Sequence, residues 1–260
     1  MLEIKDLRIR FYTRERDAVG GINLTVNDGE ILGLVGESGS GKTVTAMAIG
    51  GLLDRAACDV SGQILLDGTD LLTLDSARFR KVRGKTLGVV FQDPSAALDP
   101  LMKAGRQAEE ALLIHTSMTK KERKAAVLQA FAAVELRDPE RVYDSYPHEL
   151  SGGMQQRVMI AAALVTDPSL ILLDEPTTAL DAGVQAEILA LLKRLNAEKR
   201  ISMLLISHDL SVVRRACRRV AVMQRGRIVE EGEAEALFSS PAHPYTKRLL
   251  EAIPLSRLRR

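Results

Sequence analysis

The eight residues Gly36-Glu37-Ser38-Gly39-Ser40-Gly41-Lys42-Thr43 match a phosphate-binding loop at every constrained position. The apolar run Ile31-Leu32-Gly33-Leu34-Val35 before them reads as a buried strand. From Lys42 the chain meets no helix breaker until Gly50, so a helix begins where the loop ends. Glycines let successive N–H groups converge on one anion, and the helix N-terminus adds partial positive charge there. Lys42 is placed to reach the β- and γ-phosphates of a nucleoside triphosphate, and Thr43 to offer a hydroxyl to Mg²⁺.

Composition narrows what surrounds this loop. At 260 residues and 46% hydrophobic content, the chain suffices for one large domain, residues 1–260. Its longest uninterrupted apolar stretch, Val158 to Val165, falls far short of the roughly 20 residues of a membrane-spanning helix, and Met1-Leu2-Glu3-Ile4-Lys5 does not read as a signal peptide. A membrane role would therefore come through a partner chain. Cys58 and Cys217 are too few for a disulfide framework and too distant for a metal knuckle, and read as small buried hydrophobes. A net charge of +2 argues against nucleic acid as a partner. Arg214-Arg215 with Arg218-Arg219 reads as a solvated helix face, while Arg257, Arg259 and Arg260 could sit near acidic lipid.

Period-two alternation at Leu2 and Ile4, then at Leu7, Ile9 and Phe11, and again at Ile22, Leu24 and Val26 puts antiparallel strands ahead of the loop. Gln63-Ile64-Leu65-Leu66 before Asp67-Gly68 reads as a strand and hairpin turn, and Thr86 to Phe91 as a further strand. From about 95 to 158 the pattern is that of a helical insertion, in which Thr119 with Glu122 forms a capping box and Leu128, Phe131 and Val134 recur at helical spacing. Leu170 to Leu173 and Met203 to Ile206 are short apolar runs, expected as strands covered by helices at about 183–199 and 209–217. Strand and helix alternating around a phosphate loop indicate a parallel α/β sheet with its ligand at the carboxyl ends of the strands. A helical tail is expected at about 236–260.

Two further strings carry chemistry. Leu170-Ile171-Leu172-Leu173-Asp174-Glu175 is an apolar strand ending in two acids: Asp174 can hold Mg²⁺ through its water shell, and Glu175 points the other way, toward an attacking water. Leu150-Ser151-Gly152-Gly153-Met154-Gln155-Gln156 places a serine and two glycines at the start of a helix through Arg157 and Ile160, a second anion site of the same physical type. This string, just before a strand with paired acids, resembles the signature of the ABC (ATP-binding cassette) ATPases.

The resemblance runs from residue 2 to residue 252. It implies a P-loop NTPase (RecA-like) core with an N-terminal antiparallel β subdomain and an inserted α-helical subdomain. It also implies roles for further residues. Gln92 matches the Q-loop glutamine, a metal ligand and a link to partner chains; Ala179-Leu180-Asp181 matches the D-loop; His208 matches the H-loop histidine that holds the γ-phosphate. Phe11, with Tyr12 as a rival, matches the aromatic on which adenine stacks. Thr45 and Gln155 join Gly36, Ser38, Gly39, Ser40, Gly41, Ser151, Gly152, Gly153 and Asp181 as nucleotide-contacting positions. Two cassettes of this family pair head to tail, so that Ser151-Gly152-Gly153 of one chain closes on the ATP held by the other. Glu175 would then be the general base, with Lys42 and Mg²⁺ stabilising developing charge.

Phe91-Gln92-Asp93-Pro94, Tyr146-Pro147-His148-Glu149-Leu150 and His243-Pro244-Tyr245-Thr246-Lys247-Arg248-Leu249-Leu250 look like the peptide/nickel importer branch. The stretch Gly51 to Gly62, ahead of a strand at 63, looks like the first of the two ATPase subunits of such systems. The implied partners are two transmembrane permease subunits, a second, homologous ATPase subunit and an extracytoplasmic solute-binding protein, with the chain peripheral at the cytoplasmic face of the inner membrane. Many peptide-importer ATPases continue into a C-terminal extension with clustered cysteines, which this sequence does not show; that leans toward nickel or a metallophore without displacing peptide. A cassette serving a soluble complex, such as that associated with carbon-phosphorus lyase, shares the motifs. A DNA-repair or chromosome ATPase would carry long coiled coils or zinc cysteines, and neither occurs.

Overall fold

The computed structural model describes residues 1–178 and 180–251, so that Ala179 of the D-loop string, the end of the expected tail and the arginines at 257, 259 and 260 lie outside the described residues. The chain separates into two compact units, one formed by residues 1–79 with the segment from Leu192 onward, the other by Arg80–Leu191.

In the first unit, an antiparallel sheet runs in the order Val19–Val26, Leu2–Phe11, Cys58–Leu66, Thr69–Asp70. The alternating apolar residues Leu2, Ile4, Leu7, Ile9, Ile22, Leu24 and Val26 are all buried on it. Their phase jumps between Ile4 and Leu7 because the strand bulges: Ile4 pairs with Leu24 but Leu7 with Ile22, so three steps face two. Asp6, at the bulge, adopts φ +43°, and its N–H donates to Asn23 Oδ1 at 3.0 Å. The opposite neighbour accommodates the bulge with Gly62 (φ +96°), where a Cβ would lie 2.4 Å from the Asp6 carbonyl oxygen. The strand expected to start at 63 therefore starts at Cys58, and Ser61-Gly62, which looks like a break, is a requirement of the pairing. Asp67-Gly68, both at positive φ, closes the hairpin as its sequence indicates.

The same unit holds the strand before the phosphate loop. Ile31–Val35 runs parallel to Ser202–Ser207 on one side and to Arg219–Gln224 on the other, with Arg227–Glu233 adding an antiparallel edge. Every residue of the first two strands is buried, as both-face cover demands. Helix Leu210–Ala216 approaches at Gly33, where a Cβ would fall 2.3 Å from Val213 Cγ1. Cys217 and Cys58 are buried, and burial pushes both thiols up from their ordinary value. The basic cluster divides. Arg214 and Arg215 lie exposed on the helix, but Arg219 opens a strand, pairs with Glu30 at 2.8 Å and Glu231 at 2.6 Å, and donates to Thr25 O at 2.9 Å. It is a junction between strands rather than part of a solvated face.

In the second unit, Leu87–Val90 pairs in parallel with Leu170–Asp174. Helices Ala104–His115, Lys120–Ala133, Pro139–Asp144 and Gly152–Leu164 pack together beside them. The capping box forms between Thr119 and Glu122. Phe131 and Val134 are fully buried as expected, but the stripe opens at Val127, with Leu128 only half-buried. Tyr143 donates to the buried carboxylate of Glu109, and burial together with that bond pushes its phenol up to about 12.

Candidate active site

The parallel register sets the first half of the site. Val35 pairs with Ser207, so Gly36 and His208 leave neighbouring strands side by side at their carboxyl ends. The loop then turns through Gly39 (φ +77°) and Gly41 (φ +112°) into helix Lys42–Ile49. At Gly41 a Cβ would lie 2.6 Å from Ala18 O; at Gly39 nothing stands within 4 Å, which leaves open space over the loop. Gly41 caps the helix without a side chain, so no capping side chain takes up the N–H groups of its first turn.

Lys42 is 5% exposed, and its ammonium donates to Gly36 O at 2.7 Å, Glu37 O at 3.0 Å and Ser40 Oγ at 3.4 Å. A buried ammonium must be solvated, and here the loop's own oxygens do it. Thr43 is exposed one step on, whereas Thr45 is completely buried with its hydroxyl donating to Gly41 O at 2.9 Å. Phe11 is half-exposed beneath the Arg14 guanidinium, 5.8 Å from the ring centroid. Tyr12 is exposed and its hydroxyl donates to Asp59 at 2.8 Å, a bond that raises its pKa. Arg14, Arg16, Gly39 and Arg225 line a cavity of about 570 Å³ beside the loop, a volume within the range of small-molecule pockets.

The second unit brings the other residues together. Val90 pairs with Leu173, so the segments holding Gln92 and Glu175 leave adjacent strands. Gln92 Nε2 donates to Glu175 Oε2 at 3.0 Å, and Thr178 Oγ1 donates to the same oxygen at 2.9 Å. Glu175 adopts φ +48°, a strained region for a non-glycine residue and one concentrated at functional sites. Asp174 is half-buried at the strand end. Asp181 accepts the N–H groups of Gly183 and Val184 at 3.0 Å and so caps helix Ala182–Lys199.

Ser151 accepts the Met154 N–H at 3.4 Å as N-cap of helix Gly152–Leu164. At Gly152 the nearest atom to a built Cβ is 3.8 Å away, but at Gly153 it would meet Val184 Cγ1 at 2.8 Å, so the second glycine lets two helices touch. Gln155 Nε2 donates to Pro147 O at 2.7 Å and Leu150 O at 3.2 Å, fastening the turn before the helix. Arg157, which sequence reasoning treats as ordinary helix, is 8% exposed and joins Val134 O, Glu135 and Glu187 at 2.7, 3.2 and 3.0 Å. That it is the one charged residue of the helix Gly152–Leu164 was the signal available for it.

Among the described residues no helix is long and apolar enough to cross a membrane, and no cluster of His, Cys, Asp and Glu could hold a metal. Residues 19–178 match the family model described as ABC transporter, and residues 229–259 that described as oligopeptide/dipeptide transporter, C-terminal region. The chain is 45% identical over 257 residues to a probable peptide ABC transporter ATP-binding protein of Sinorhizobium fredii, with 98% of this chain and 77% of that one covered. It is 45% identical to a dipeptide transport ATP-binding protein of Haemophilus influenzae, covering 98% and 78%. Among solved structures, an ATP-binding cassette described as dimeric, post-hydrolysis and bound to ADP and Pi superposes with a TM-score of 0.79 at 32% identity, covering 90% of this chain and 99% of that one. The chain therefore belongs to the ATP-binding cassette family of transporter ATPases.

Proposed function

We propose that this chain is the ATP-hydrolysing subunit of a peptide importer, bound to two permease subunits at the cytoplasmic face of the inner membrane and served by an extracytoplasmic solute-binding protein. The observation that carries this reading is the peptide-transporter C-terminal region at 229–259 behind a full set of cassette motifs. The named relatives, two of which are peptide and dipeptide transport proteins, favour peptide over nickel. Its working form is a head-to-tail pair with a related cassette, a reading supported by the dimeric ADP- and Pi-bound relative.

In this reading Lys42 keeps its bond to Gly36 O and exchanges Glu37 O and Ser40 Oγ for the β- and γ-phosphates, and the start of helix Lys42–Ile49, which no side chain caps, turns N–H donors toward them. Glu175, fastened by Gln92 and Thr178, takes the proton of the attacking water, and His208 holds the γ-phosphate from the adjoining strand end. Phe11 offers an apolar face to adenine. Thr43, Asp174 and Gln92 suit Mg²⁺ as hard oxygen donors; the Gln92 amide nitrogen is the atom bonded to Glu175, which leaves the carbonyl oxygen for the ion. When bound, Mg²⁺ supplies charge neutralisation at the phosphates. The Ser151 hydroxyl and the amides of Gly152 and Gly153 close on the nucleotide of the partner cassette.

Purified with its native partners and reconstituted in vesicles, the assembly should hydrolyse ATP faster when peptide-loaded binding protein is present, and should accumulate labelled peptide. Recovery without any membrane-spanning subunit, or stimulation by a nickel chelate and not by peptide, overturns the reading.

A further inference from the structure

Helix Pro244–Glu251 carries Tyr245, which is 2% exposed and has no part in the chemistry above. Its hydroxyl oxygen accepts the N–H of Glu37, the second residue of the phosphate loop, at 2.9 Å. That N–H shares one peptide unit with the carbonyl of Gly36. The unit is planar, and its two polar ends point to opposite sides. The carbonyl end accepts Lys42 Nζ at 2.7 Å. One rigid plane thus joins the tyrosine hydroxyl to the loop's ammonium, and rotating it breaks both bonds. Gly36 fits its place tightly, since a Cβ there would lie 2.1 Å from Met223 O and 2.8 Å from Ser40 Oγ.

The helix is itself anchored at its start. The two carboxylate oxygens of Glu230 accept the N–H groups of Ala242 at 2.8 Å and His243 at 3.0 Å, and His243 Nδ1 accepts the Tyr245 N–H at 3.2 Å. All of these residues fall inside the segment that matches the peptide-transporter C-terminal region.

We propose that Tyr245 is a positioning residue for the phosphate loop: through the Gly36–Glu37 peptide plane it sets where the Lys42 ammonium sits, and so couples the C-terminal segment to nucleotide affinity. The inference rests on the phosphate loop being the nucleotide site and is independent of the transported solute. Without the hydroxyl, the plane is held at one end only, and binding must first select the competent orientation from several.

The test is titration of the assembled transporter with ADP and with ATP. Tyr245→Phe keeps the buried ring and removes one hydrogen bond, so affinity for both nucleotides should weaken roughly two- to tenfold. In a Lys42→Ala background the same change should add nothing, because the plane no longer has an ammonium to place. Glu230→Gln, which costs one of the two anchoring backbone bonds, should weaken affinity in the same direction by a smaller factor. Unchanged affinity in Tyr245→Phe, or an equal loss in the Lys42→Ala background, overturns the proposal. Should Tyr245→Phe fail to fold, Glu230→Gln decides by the same titrations, with unchanged affinity or an additive loss counting against it. Wild-type protein that binds no nucleotide at all would instead overturn the site.

Discussion

The phosphate loop and the signature serine-glycine string both place amides at the start of a helix, yet they are finished to different degrees. The loop helix begins at a glycine with no side-chain cap, and a buried ammonium lies within its curve. The signature helix caps itself through Ser151, and its arginine, Arg157, is engaged by Val134, Glu135 and Glu187. On the proposed reading the loop is an anion receptor with its own cation in place, and the signature helix start is one whose countercharge comes from elsewhere. A receptor of the second kind is of use as half of a site.

Five substitutions sharpen or break this contrast. Glu175→Gln, which removes the proton acceptor and leaves both receptors intact, should lower turnover about a thousandfold while ATP affinity stays within a factor of about two. Single-turnover kinetics within about tenfold of wild type would remove Glu175 as the base. Lys42→Ala should weaken ATP binding about a hundredfold even in the isolated chain, since a charged donor bonded to phosphate is lost. An unaltered titration would mean that the loop is not the complete receptor. Ser151→Ala should leave the isolated chain's ATP affinity unchanged but cut turnover of the assembled pair by about tenfold, the size expected from one lost hydrogen bond in the transition state. If the isolated chain loses affinity by the same factor, the two receptors serve one ligand within one chain and the contrast fails. Gly153→Ala should destabilise the fold by about 1–2 kcal/mol through the Val184 contact, whereas Gly152→Ala, with open space, should shift stability by no more than about 0.5 kcal/mol. Thermal melting of the two variants compares them directly, and equal shifts would show that neither glycine is there for packing.

What the sequence made legible was local. The phosphate loop, the paired acids after a strand and the capping box at Thr119 each complete their meaning within about eight residues, where spacing and backbone preference decide the outcome. Gly62 did not, because a glycine before a strand and a glycine opposite a bulge look the same until Asp6 is placed against it. Arg219 looked solvated because its partners are remote in sequence, Glu30 just ahead of one strand and Glu231 on another. Val127 rather than Leu128 joins Phe131 and Val134 in the core of its unit, a choice between i−4 and i−3 that periodicity alone does not resolve. Within the site, the Gln92–Glu175 bond follows from register between strands Leu87–Val90 and Leu170–Asp174, which the motif matches alone did not give.

The amide of Gly226 donates to Ser40 O and its carbonyl accepts the Gly20 N–H, each at 2.8 Å. Three points far apart along the chain therefore meet at the phosphate loop. During synthesis, the eight-residue loop string emerges early but lacks these ties until residue 226 has left the ribosome. Loop closure over such separations comes late in folding. A nascent or truncated chain that ends before this hairpin carries the loop's entire sequence but neither of the two ties that hold it against Gly20 and Gly226.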